Sequence, residues 1–111
     1  MSRDRICIDF DNVIHLWDPR QSISVVEGDP VPGAKEAIAL LRKNYKVVVL
    51  TARASKGQKA IARWLKEQGI VVDGITSVKP PALIYLDDRA LHFYGDWTET
   101  LRDIKQFRTW K

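Results

Sequence analysis

The chain has a single cysteine, Cys7, so no disulfide can form within it. Cys7 lies inside an apolar run and reads as a small core side chain, and a reducing cytoplasm is the expected setting. Histidine is almost as scarce. His15 and His92 are the only two, too few and too far apart for the His and Cys clusters that hold zinc, and each reads as a flap or surface residue. No apolar run approaches the roughly 20 residues that a membrane-spanning helix requires. The opening MSRDRICIDFD has only a brief oily stretch soon interrupted by acids, which does not make a signal peptide. Repeats, low-complexity tracts and linkers are missing as well. At 111 residues the chain reads as one domain, 1–111, large enough for one core.

Apolar residues make up 45% and charged residues 29%, the balance of an ordinary globular protein. The formal charge of +4 mildly favours anionic partners, phosphate-bearing polymers included. Arg53, Lys56, Lys59, Arg63 and Lys66 concentrate in one segment. A solvated helix face accounts for that cluster, and charge alone does not establish nucleic-acid binding.

Short apolar runs alternate with helical patterns. RICID (5–9), YKVVVLT (45–51) and LIYLD (83–87) read as buried parallel strands, and a weaker strand falls in either half of GIVVDGITSV (69–78). Ala34, Ala37, Ile38 and Leu41 keep helical spacing, with Pro32 suited to the first turn and Asn44 to the stop. Ala60, Ile61, Trp64 and Leu65 form the stripe of a second helix, Ser55 to Gln68, closed by Gly69. A third helix starts after Asp96, which forms a capping-box pattern with Glu99 and places Trp97, Leu101, Ile104 and Phe107 on one face. Residues 14–27 read as a small hairpin or flap. The resulting fold class is α/β: a three-layer Rossmann-like parallel sheet with helices on both faces.

In such sheets ligands bind beyond the C-terminal ends of the strands. Chemistry-bearing residues stand at those ends: Asp9 and Asp11 after the first strand, Thr51 after the second, Asp87 and Asp88 after the last, with Lys79 just upstream of it. Four carboxylates on one rim repel one another, and oxygen-only ligation points to Mg²⁺ as the compensating ion. A lysine and a hydroxyl beside it would orient phosphoryl oxygens. One carboxylate then serves as nucleophile and the other as general acid and base.

Asp9-Phe10-Asp11-Asn12-Val13, Val48-Val49-Leu50-Thr51, Lys79 and Ile84-Tyr85-Leu86-Asp87-Asp88 stand in the order of four motifs. In that ordered set the chain resembles the haloacid dehalogenase-like phosphohydrolases over nearly its whole length. The resemblance implies Asp9 as nucleophile, Asp11 as general acid and base, and Thr51 and Lys79 as phosphoryl ligands. It implies Mg²⁺ on Asp9, the Asp11 carbonyl and the Asp87–Asp88 pair, with Asp88 the direct ligand and Asp87 in support. Asn12 replaces the usual Gly; it tolerates a left-handed backbone and becomes a further candidate for phosphate contact. Arg53 and Arg89 stand by the same rim as candidates for substrate contact or as surface and capping residues.

Only a flap fits between the first strand and the first helix, so no cap domain is expected and the site should be open. Trp17 either walls that site or packs against the body. An open site suits a large substrate, a polymer end or closure by a neighbouring subunit. Phosphorylated small molecules, nucleotides, polynucleotide ends and phosphoproteins all stay open as substrates, with nucleotide or nucleic-acid phosphates favoured by the basic helix and Arg53. The other readings are a receiver-like phospho-acceptor, disfavoured because the middle strand ends in Thr51, and a binding module of the same fold that has lost turnover.

Overall fold

The computed structural model describes residues 4–111. Strand β1 (Arg5–Asp9) lies inside a four-stranded sheet. It pairs on one side with β2 (Lys46–Leu50), which pairs with β3 (Gly74–Thr76), and on the other side with β4 (Ile84–Leu86). Every pairing is parallel and the order is β3-β2-β1-β4. Helix α1 (Ala34–Leu41) links β1 to β2, and α2 (Ser55–Gln68) links β2 to β3. The chain is therefore an α/β protein of Rossmann-like architecture, with no domain inserted after β1 or β2.

Side chains alternate across a strand, so Ile6 and Ile8 share one face of β1. They join Val47 and Val49 of β2, Ile38 of α1, and Ile61, Trp64 and Leu65 of α2 in a single buried cluster. Cys7 points the other way and is also buried. α2 stops where Gly69 adopts φ 71°, the left-handed conformation that glycine reaches at least cost. That turn sends Ile70 back into the core, and the strand forms in the second half of the 69–78 run.

Three expectations need correction. α1 ends at Leu41 rather than Asn44, because residues 42–45 fold back in turns onto the carbonyls of Ile38, Leu40 and Leu41. β4 is not buried: it is an edge strand with Ile84 51% and Leu86 49% exposed. Residues 14–27 form no hairpin. His15 makes isolated bridges to Asp11 and Pro30, and the carbonyls of Ile23, Val25, Glu27 and Gly28 accept from the side chains of Arg53, His15 and Trp64. Body side chains satisfy this backbone, so it needs no partner strand.

The third helix, α3 (Trp97–Gln106), begins as its sequence predicts. The Asp96 carboxylate accepts the Glu99 N–H at 3.2 Å, and none of the helix's residues is buried. No helix among the described residues is long and apolar enough to cross a membrane.

Candidate active site

β1 and β4 are neighbours in register, Ile8 beside Leu86. The residues that follow each strand therefore emerge side by side. Carboxylate oxygens of Asp9, Asp87 and Asp88 lie within 4.8 Å of one another. Burial pushes the Asp9 carboxyl up to about 7, aided by the Asp87 charge and by the hydrogen bond and charge of Asp88, while the Phe10 backbone N–H pulls the other way. Three crowded carboxylates, all oxygen donors and part of them open to solvent, fit a hard divalent cation such as Mg²⁺. Asp87 also accepts the backbone N–H of Arg89 at 2.9 Å. A 360 Å³ cleft opens over the cluster, lined by Asp9, Asp11, Asn12, Trp17, Asp88 and Arg89 among others.

Asp11 lines this cleft, yet its charge is engaged inward. Arg53 grips it as a fork, Nε donating to Oδ2 at 3.1 Å and Nη2 to Oδ1 at 2.9 Å. His15 Nδ1 adds a third bond to Oδ1 at 3.0 Å. Burial favours the neutral acid, but the bonds from His15 and Arg53 and the Arg53 charge prevail, holding the Asp11 carboxyl below its usual range. His15 is fully buried, stacked on Phe10 and edge-on to Trp64. Its Nε2 meets the Glu27 carbonyl at 2.6 Å. The ring is thus held at both nitrogens, between the Asp11 carboxylate and the Glu27 carbonyl.

Arg53 does not reach toward a substrate. It is 5% exposed, and its Nη1 donates to the carbonyls of Ile23 and Val25 at 2.8 Å each. Arg53 ties three segments together: its guanidinium holds Asp11 and the carbonyls of Ile23 and Val25, and its own carbonyl accepts from Gln58 Nε2 of α2 at 3.2 Å. Arg89, by contrast, lines the cleft, the basic residue to do so among those described.

Thr51 closes β2 as the sequence requires and is 3% exposed, its Oγ1 accepting the Arg53 N–H at 3.0 Å. Lys79 does not converge with the rest. Its ammonium sits 4.3 Å over the Tyr85 ring, on the sheet face where Cys7 points. Asn12 adopts φ 63°, the strained turn that glycine would relieve. Its Oδ1 accepts from the Trp17 N–H and the Lys111 ammonium, and its carbonyl accepts Trp110 Nε1–H. The side chain ties the loop to Trp17 and Lys111, contacts a glycine could not make. Trp17 is half-buried and walls the cleft.

Sequence reasoning missed two residues. His15 is buried between Asp11 and Glu27 rather than exposed; its position four after Asp11, inside the apolar IHLW, was the available signal. Gly57 was passed over. A Cβ there would stand 2.6 Å from Arg53 Cβ and 2.8 Å from the Ile23 carbonyl, so only glycine lets α2, Arg53 and the loop meet. A lone glycine inside a strong helical pattern marks such close approaches. His92 is exposed against Tyr94.

No protein-family model matches the chain, and no curated protein does. A solved structure from Bacteroides thetaiotaomicron, described as a conserved protein, superposes with a TM-score of 0.66 at 21% identity, covering 97% of this chain and 94% of that one. At that identity the likeness establishes the fold alone.

Proposed function

We propose that the protein is a Mg²⁺-dependent phosphomonoester hydrolase of the haloacid dehalogenase-like type, working through an aspartyl-phosphate on Asp9. The observation that carries this reading is the meeting of Asp9, Asp87 and Asp88 at the ends of two adjacent parallel strands. Asp9, the Asp11 carbonyl and Asp88 would hold Mg²⁺, with Asp87 in support; bound there, the ion supplies positive charge against phosphoryl oxygens. Arg89, on the cleft wall, supplies a second positive charge for the same oxygens.

An Asp9 oxygen attacks phosphorus and the ester P–O bond breaks, the electron pair leaving with the alcohol oxygen. Water then attacks the phosphorus of the aspartyl-phosphate, releasing inorganic phosphate and restoring the carboxylate. Asp11 starts this cycle ionised and gripped by Arg53 and His15, so it is better prepared to accept the proton of water than to protonate a leaving alkoxide. Aryl phosphates, whose leaving group needs no proton, are therefore the most favoured substrates. The exposed Lys56, Lys59 and Arg63 of α2 and the Trp17 wall lend support to nucleotide or polynucleotide-end phosphates as natural ones.

The clamped Asp11 and the Lys79 ammonium on Tyr85 favour a second reading, a phosphate- or metal-binding module without turnover. Phosphate release from an aryl phosphate, nucleotides, sugar phosphates and a 3′-phosphorylated oligonucleotide, with and without Mg²⁺, separates the two. Mg²⁺-dependent release that falls at least about 10³-fold in Asp9→Asn is expected, the usual scale for loss of a reacting group. A folded, Mg²⁺-binding protein that releases phosphate from none of them would overturn the hydrolase in favour of the module.

A further inference from the structure

A monomer of 12.7 kDa is expected to expose about 6,200 Å², whereas this chain exposes 7920 Å². Its radius of gyration is 15.0 Å against about 13 Å for a compact chain of this length. The excess is not spread evenly. From Val78 onward large apolar side chains stand in solvent, including Tyr94 at 80%, Trp97 at 66%, Leu101 at 58% and Ile104 at 54%. Trp97, Leu101 and Ile104 form one stripe along α3, beside a groove of about 450 Å³ between α3 and Leu91 and Phe93. Patches on stable monomers are normally a few hundred Å².

We infer that the chain forms a two-fold homodimer through the α3 stripe, each copy covering the apolar face of the other. The excess area of about 1,700 Å² is twice the roughly 800 Å² that each partner gives to a standard interface. The charges beside the stripe are self-complementary. At about 100° per residue, Lys105 lies about 80° to one side of Trp97 and Asp103 about 120° to the other. Two α3 helices side by side and parallel, with the two-fold axis between them, set Asp103 of each copy against Lys105 of the other. A uniformly acidic or uniformly basic partner would meet a like charge along one edge of the stripe. The surface is continuous with the catalytic cleft, because Arg89 lines both the cleft and the groove beside α3.

Light scattering on the eluting full-length chain tests this without reference to activity. The wild type is expected at twice the chain mass. Leu101→Glu with Ile104→Glu alters residues already exposed in the monomer, so it should elute at the monomer mass with unchanged circular dichroism. Asp103→Lys and Lys105→Asp should each weaken the dimer at low salt, and the two together should restore it. A monomeric wild type at every concentration, with α3 amides protected against exchange, would mean that α3 closes onto its own sheet and would overturn the proposal. A dimer that survives Leu101→Glu with Ile104→Glu would overturn the assigned surface.

Discussion

Asp11 lines the cleft, yet its strongest interactions are with the inward-turned Arg53 and with His15. Removing the guanidinium in Arg53→Ala would leave a half-buried carboxylate against His15 alone and strand the carbonyls of Ile23 and Val25. Denaturant unfolding should show a loss of about 3 kcal/mol, the low end for breaking a buried pair because Asp11 keeps 28% exposure. The Asp9 cluster pulls stability in the opposite sense. Asp9 keeps its proton in the fold up to about 7, against 3.8 for an unperturbed aspartic acid. Its contribution is therefore present below 3.8 and lost as pH rises through 7. A divalent cation bound at the proposed site would replace that proton. Melting with and without Mg²⁺ should show a larger Mg²⁺-induced rise in Tm near pH 8 than near pH 5, where the ion competes with the proton. The sequence placed Asp9, Asp87 and Asp88 correctly because strand ends in a parallel sheet converge whatever the loops do. It did not reveal that Arg53 turns inward, since its partner lies 42 residues away, nor that Lys79 rests on Tyr85.

At the scale of elements, α2 was legible to its last residue because its stripe, its length and Gly69 agree. Gly57 is where propensity and packing diverge. Gly57→Ala gains about 1 kcal/mol of helix propensity but drives a methyl into Arg53 and the Ile23 carbonyl. Overpacking of this kind costs about 1–3 kcal/mol, and because one of the close atoms is backbone we expect the cost to prevail. Urea unfolding should give a lower midpoint for Gly57→Ala. A higher midpoint would mean that the 22–26 segment shifts freely. The 14–27 segment misled a pattern-based reading because its alternating apolar residues suggest strands, while its backbone is satisfied by side chains remote in sequence. α3 was legible as an amphipathic helix from Asp96 onward, but periodicity names a face without naming what covers it.

For the whole molecule, one half is a dense core under α1 and α2 and the other an exposed edge formed by β4 and α3. The candidate site lies on the boundary between them, where β1 meets β4. The hydrolase proposed for this rim depends above all on Asp9 becoming covalently phosphorylated. Borohydride quenching of the protein during turnover of an aryl phosphate with Mg²⁺, followed by peptide mass spectrometry, reports that bond directly, because hydride reduces an acyl phosphate to the alcohol. The account predicts homoserine at position 9, dependent on both substrate and Mg²⁺. Phosphate release with position 9 unmodified, or reduction at Asp11, Asp87 or Asp88 instead, would contradict it.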